Sequence, residues 1–242
     1  MTEPLASSGQ PTLPAETAAA PTSASQPPAA SYPPPAANTT LAQQHEYERG
    51  LWSHYLLDPT WRRTRFNPQP NTLLTEAVQG RPAGTALDVN MGEGRNALYL
   101  AQQGWQVTGI DIADQALAFA QQRARQVGVQ LTTIEQDVKT YDWGCNRWDL
   151  VVLCYADESA HVAQVRAALK PGGLLVFENF HTDVNQARGT RSGRTIGFAT
   201  NELRDLYAAA GFEILRYEER MGVADFSQET QRLVKLVARR GT

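Results

Sequence analysis

The chain has 242 residues, 42% hydrophobic and 19% charged, with a formal net charge of −3. That length suits one domain with an appendage, and the near balance of charge excludes a role driven by bulk attraction to nucleic acid or to an anionic membrane. The two cysteines, Cys145 and Cys154, form no CxxC or Cys/His metal spacing, so no metal is expected and a reduced, cytoplasmic setting is the default.

The N-terminal stretch "PTLPAETAAAPTSASQPPAASYPPPAANTT" (11–40) is almost wholly Pro, Ala, Ser and Thr. Such a composition cannot offset its ordering entropy by burial. Residues 1–40 are therefore expected to form a disordered tail, with polyproline II character at Pro33, Pro34 and Pro35. The tail has neither the basic start nor the apolar run of a secretory signal. No later segment approaches ~18 uninterrupted apolar residues, the length a membrane-spanning helix needs.

From residue 41 the texture is that of a folded domain, 41–242. "HEYERGLWSHYLLDPTWRRTRFNPQPNTLL" is rich in aromatic residues. From Thr85 on, short apolar runs alternate with helical patterns: "TALDVN" (85–90), "QVTGID" (106–111), "LTTIEQD" (131–137), "WDLVVLCY" (148–155) and "GLLVFENF" (173–180) read as strands. Between them, "RNALYLAQQG", "ADQALAFAQQRARQVG" and "SAHVAQVRAALKPGG" carry apolar residues at three- and four-residue spacing. This alternation predicts an α/β fold with a doubly wound parallel sheet. "TNELRDLYAAAGF" reads as a helix stopped by Gly211. "FEILRYEER" and "RLVKLVARR" follow with no helix between them, which predicts a hairpin and at least one antiparallel strand.

Ligands of doubly wound sheets bind beyond the carboxyl ends of the strands. The first such end is "ALDVNMGEGRNALYLA" (86–101), where glycine lets the backbone turn sharply and approach a ligand. Gly92, Gly94 and Ala97 satisfy the short dinucleotide pattern G-x-G-x-x-G/A, but Asp88 ends the strand just ahead of the turn, where it would repel a pyrophosphate and attract an ammonium group. Asp111 closes the second strand 19 residues after Gly92 (111 − 92), a spacing at which an acid can accept both ribose hydroxyls. Asp137, at the end of the third strand, is placed to receive an adenine amino group.

With "LDVNMGEGRNALYLA", "GIDIA", "EQDV", "WDLVV", "ALKPGGLLVFENF" and the closing hairpin, the chain resembles the class I S-adenosylmethionine-dependent methyltransferases over roughly residues 45–240. "GEGRNALYLA" and "VFENFH" are most similar to the small-molecule branch that includes tellurite-resistance-type enzymes. The resemblance implies a Rossmann-like seven-stranded sheet with an antiparallel last strand, and S-adenosyl-L-methionine as cofactor. It implies a cofactor site of Asp88, Asn90, Gly92, Gly94 and Asn96 at the methionine end, Asp111 and Ile112 at the ribose, Asp137 and Val138 at the adenine, and Tyr155 as a wall. It also implies that residues 41–80 form a lid, to which Trp52, Tyr55, Trp61 and Phe66 could contribute. The family usually has glycine where this chain has Asn90, a residue that tolerates left-handed backbone angles.

The implied activity is methyl transfer to a small-molecule acceptor: a thiol, a chalcogen species or a hydroxylated metabolite. A thiolate needs no base, whereas a hydroxyl generally does. Residues after the fourth and fifth strands should line the acceptor space: Cys154, Tyr155, Asp157 and Glu158, then Asn179, Phe180 and His181. His181 is the candidate base, because its ordinary pKa lies near neutrality, and Tyr155 is the second catalytic candidate. Arg188, Arg191 and Arg194, in a Gly- and Ser-containing stretch from Thr182 to Thr200, suggest a loop that closes over an anionic acceptor. Neither nucleic acid nor a membrane is expected as partner. Two alternatives stay open: a non-catalytic S-adenosylmethionine-binding protein and a nicotinamide-dependent oxidoreductase.

Overall fold

The computed structural model describes residues 39–156, 160–185 and 196–241. The proline-rich segment up to residue 38, Asp157 and Glu158, and Arg188, Arg191 and Arg194 lie outside the described residues.

Three helices come first: α1 (Leu41–Leu57), α2 (Pro59–Arg65) and α3 (Thr72–Val78). Thr40 starts α1 through a capping box with Gln43. Asp58 starts α2, its carboxylate accepting the Thr60 and Trp61 amides at 2.8 and 3.1 Å, with Pro59 in the first turn where a missing N–H costs nothing. The alternating region then runs β1 (Thr85–Val89), α4 (Arg95–Gln102), β2 (Gln106–Asp111), α5 (Asp114–Val127), β3 (Thr132–Glu135), β4 (Trp148–Cys154), α6 (Val162–Ala168) and β5 (Leu169–Phe180). Helix α7 (Glu202–Ala209) leads into the hairpin β6 (Phe212–Val223) and β7 (Thr230–Arg240).

The strand order is β3-β2-β1-β4-β5-β7-β6, with β7 antiparallel to both its neighbours. Side chains of a strand alternate between its faces, so a strand apolar on both must be covered twice. In β4, Val151 and Leu153 join a cluster with Val165 of α6 and Leu203 and Tyr207 of α7. Their neighbours Leu150 and Val152 join Leu74 of α3, Leu100 of α4 and Ala120 of α5. The sheet is wound on both faces as the sequence predicts.

Two boundaries depart from the sequence reading. The helix expected to reach "LKPGG" ends at Ala168, and β5 begins at Leu169. Pro171 disfavours helical geometry at the residue before it, and Gly172 takes φ +78°. The four residues Lys170–Gly173 stand out of register between the pairs Trp148–Leu169 and Leu150–Leu174. Strand β3 keeps only Thr132–Glu135 of the expected 131–137, because it is an edge strand, paired with β2 alone and half exposed. Among the described residues, no helix is long and apolar enough to cross a membrane.

The two turn glycines differ in surroundings. Gly92 (φ +54°) has open space where a Cβ would stand, whereas a Cβ on Gly94 (φ +76°) would lie 2.9 Å from Met91 Cε and 3.0 Å from Ala120 Cβ. Gly92→Ala should therefore cost only the left-handed backbone penalty, about 1–2 kcal/mol, and Gly94→Ala that penalty plus about 1–3 kcal/mol of overpacking. Urea denaturation measures both, and equal losses would refute the difference in packing.

Candidate active site

The carboxyl ends of β1, β2 and β4 converge on the glycine turn. Asp88, 2% exposed, lies one residue from the end of β1. Its Oδ2 is buried with no hydrogen-bond partner. Burial pushes its pKa up to about 7, while Arg95 and the Ala97 amide oppose the rise. Beyond it, the Met91 amide donates to Ile110 O at 2.9 Å and the Gly92 amide to Asp111 Oδ2 at 2.8 Å. The other Asp111 oxygen accepts the Ala113 amide at 2.9 Å. Burial raises the pKa of Asp111 too, with these amides pulling against it. Asn90 takes φ +51° and donates its side-chain amide to Ala156 O at 2.5 Å, so this amide ties the β1 turn to the segment after β4.

Two cavities flank the turn. The larger, about 390 Å³, is lined by Asp88, Asn96, Cys154, Tyr155 and Asp225 among others. The smaller, about 270 Å³, is lined by Asp111, Ile112, Asp137, Val138 and, from α1, Leu51 and Trp52. Phe66, Asn90, Gly92 and Phe226 line both.

Behind Tyr155, which lines the larger cavity, a polar chain runs into β5 and β7. The Tyr155 hydroxyl donates to Glu178 Oε1 at 2.7 Å, and Lys235 Nζ stands 2.8 Å from Glu178 Oε2. Glu178, 1% exposed, faces Lys235 in the β5–β7 register. Burial, and then this carboxylate, raise the Tyr155 pKa far above that of a free phenol, so Tyr155 stays protonated. Burial also pushes the Cys154 thiol up, and Glu178 adds to the rise.

Asp225, at the tip of the β6–β7 hairpin, closes the roof. Its carboxylate accepts the side-chain amides of Asn67 at 2.9 Å and Asn71 at 2.5 Å and pairs with Arg95 at 2.8 Å. Arg62 of α2 pairs with Glu93 of the turn at 2.6 Å and lies over the Phe119 ring. Asp225, Phe226, Arg62, Arg95 and Glu178 escaped the sequence reading. A lone aromatic residue in the Asp- and Ser-bearing tip "ADFSQ" was the available signal for the first two.

Other expected residues sit elsewhere. His181, 3% exposed, lines neither cavity; its ring contacts Thr200 Oγ1 at 3.1 Å and accepts the Asp183 amide at 3.2 Å, so one nitrogen meets a side-chain hydroxyl and the other the local backbone. Asn179 and Phe180 are likewise buried outside both cavities, Phe180 edge-on to Tyr155. Gly94 packs α4 against α5, and Asn96 accepts the Asn71 amide at 2.9 Å while reaching the larger cavity. Asp137 is engaged already: His45 Nε2 stands 2.6 Å from its Oδ2, and its Oδ1 accepts the Lys139 amide at 2.7 Å. Of the lid aromatics, Trp52 and Phe66 reach a cavity, whereas Tyr55 and Trp61 stack on one another at 4.6 Å behind them.

Residues 86–173, from β1 into β5, match a family described as a methyltransferase domain. That stretch is a methyltransferase domain. The methyltransferase domain is similar to the ubiquinone biosynthesis O-methyltransferase of Serratia proteamaculans, 31% identical over 123 residues, which are 48% of this chain and 51% of that protein. It is also similar to the release factor glutamine methyltransferase of Bordetella pertussis, 34% identical over 122 residues, 46% and 45% of the two. The chain spans about half the length of the curated relatives it matches. Its fold is shared with magnesium protoporphyrin IX methyltransferase from Synechocystis PCC 6803, solved with bound S-adenosylhomocysteine (TM-score 0.59, 21% identity, 81% of this chain and 99% of that one). TehB from Haemophilus influenzae shares it too (TM-score 0.58, 21% identity, 69% and 61%).

S-adenosylmethionine carries an ammonium group, and the unpartnered Asp88 oxygen at the turn offers a place for such a cation, one that would repel a pyrophosphate. An ammonium group there favours the ionised carboxylate, so below pH 7 binding must expel a proton from Asp88. Affinity for S-adenosylhomocysteine should therefore fall as the pH drops from 7 to 5.5 and level off above about 8. Calorimetry in buffers of different ionisation enthalpy reads the released proton. Asp88→Asn should bind more weakly at pH 8 and lose most of the slope. A slope unchanged by the substitution would refute the role of Asp88.

Proposed function

We propose that this protein transfers the methyl group of S-adenosylmethionine to a small-molecule acceptor whose nucleophile is soft, a thiol or a chalcogen species. One observation carries the reading: a buried, unpartnered carboxylate, Asp88, opens on a cavity that shares its walls with the cavity of Asp111 and Asp137. In this reading Asp88 holds the ammonium group and Asp111 the ribose hydroxyls, since each Asp111 oxygen keeps a lone pair beyond the amide it accepts. Ile112 and Val138 flank the adenine. Its amino group meets Asp137 beside His45.

The cofactor brings an electrophilic methyl on a positively charged sulfur. The chain's own residues must then align the acceptor and exclude water. Among the described residues, neither cavity is lined by a histidine. Tyr155 is held as a donor by Glu178, so neither sequence-nominated base is available to take a proton from an alcohol. This favours an acceptor that arrives as an anion or ionises in water, as thiols and chalcogen hydrides do. Tyr155, with its phenol oxygen also accepting the Asp225 amide at 3.4 Å, serves as a wall that orients the acceptor.

Asp111→Ala removes a charge-assisted acceptor and should weaken S-adenosylhomocysteine by about tenfold to a hundredfold. Wild-type protein should bind that ligand and not NADH. With methyl-labelled cofactor, a panel of small thiols and chalcogenides should be labelled ahead of matched alcohols and phenols. Unchanged affinity in Asp111→Ala would overturn the cofactor assignment. Labelling of phenols alone would overturn the soft-nucleophile reading.

A further inference from the structure

The residues that line both cavities mark a neck between them, and chemistry fixes what must lie there. If, as proposed above, the adenosyl half is held by Asp111 and Asp137 and the amino-acid half by Asp88, then the sulfur bonded to both halves sits at the neck. It carries a full positive charge before transfer and none afterwards. None of the four neck residues, Phe66, Asn90, Gly92 and Phe226, is charged. The Asn90 side-chain N–H is committed to Ala156 O. What remains are its carbonyl oxygen and two aromatic rings, and the rings are the larger surface.

Those rings are built in as a pair. Phe66 follows α2 and Phe226 sits at the hairpin tip, 160 residues on (226 − 66), and their backbones form an antiparallel bridge. The ring centroids lie 5.5 Å apart at 61°. Each meets a tryptophan ring edge-on, Phe66 with Trp61 at 5.3 Å and Phe226 with Trp52 at 6.0 Å. Neighbouring backbone bonds hold the pair: the Asn67 amide donates to Asp225 O at 2.9 Å and the Ser227 amide to Arg65 O at 2.8 Å. Two half-buried rings fixed at an uncharged neck present π-faces that attract a cation, more so once water is displaced.

We infer that Phe66 and Phe226 form a cation–π clamp on the sulfonium and make the site prefer S-adenosylmethionine over S-adenosylhomocysteine. The clamp acts on the charge that distinguishes the two ligands, so it favours release of the spent cofactor. It rests on the proposed function only for the cofactor's orientation.

The test is the ratio of dissociation constants, Kd of S-adenosylhomocysteine over Kd of S-adenosylmethionine, by calorimetry on the full chain. Phe66→Leu and Phe226→Leu should each lower the ratio about fivefold, the size expected of a partly desolvated cation–π contact, with the affinity for S-adenosylhomocysteine held within about twofold. A shape-preserving control places 3,4,5-trifluorophenylalanine at 66 or 226, which weakens the negative ring face without removing the ring. It should lower the ratio in the same direction, and it carries the test if a leucine variant does not fold. Equal weakening of both ligands, or an unchanged ratio, would overturn the clamp and leave the methyltransferase reading standing. Failure of the wild type to bind either ligand would overturn both.

Discussion

The Asp111 carboxylate is the tie on which the ligand-facing end of the sheet depends. A parallel sheet brings strand ends side by side but leaves the turns beyond them without a ladder to hold them. Here one side chain accepts the Gly92 amide from the turn after β1 and the Ala113 amide at the start of α5. Three chain segments are thereby fixed around one charged group. The Met91 amide bonded to Ile110 O extends the β1–β2 pairing by a further residue, and Met91 fills the space over Gly109, where any Cβ would collide with its sulfur. The same carboxylate serves as scaffold and faces the smaller cavity, so its burial does two jobs.

The second tie lies on the opposite wall. Asp225 gathers Asn67, Asn71 and Arg95, residues of the N-terminal segment and of α4, under a hairpin that closes the far side of the sheet. An unsatisfied carboxylate in such a place would be costly, and three donors with an arginine among them offset that cost. Because the hairpin tip also pairs through Phe226 and Ser227 with the chain after α2, the roof of the cavities belongs to two distant stretches of sequence at once.

That distance explains what could be read from the sequence. The glycine turn, β2 with its terminal Asp111, and α5 with its Gly128 cap are local patterns, with periods of two or 3.6 residues and punctuation that a reader can count. Asp88, Asp111 and Asp137 could be placed for the same reason: each lies at or within two residues of a strand's carboxyl end, and those ends face the ligand side of a doubly wound sheet. Asp225 and Phe226 carry no local mark, since their partners lie 158 and 160 residues away. The facing of His181 was equally illegible. Its position just past β5 is right for a base, but Thr200 and the Asp183 amide turn its ring into local hydrogen bonding. The pairing of His45 with Asp137 brings together residues that no spacing rule connects.

The charges around the larger cavity point to the kind of reaction it favours. Arg62 is matched by Glu93 and Arg95 by Asp225, with Lys235 and Glu178 paired behind Tyr155; Arg63 and Arg123 also line the cavity, and Asp88 has an oxygen with no partner. Cys154 and Tyr155 are held neutral by burial. A reaction between an anionic sulfur or chalcogen and a sulfonium destroys charge, and a weakly polar enclosure penalises separated reactants more than the dispersed transition state. A reaction that creates a proton in the same enclosure finds, among the described lining residues, no histidine to receive it. In the proposed reading such an enclosure suits a charge-neutralising transfer better than deprotonation of an alcohol. In the same reading Asp88 fixes the ammonium end of the cofactor, so that the reacting sulfur meets the neck between Phe66 and Phe226.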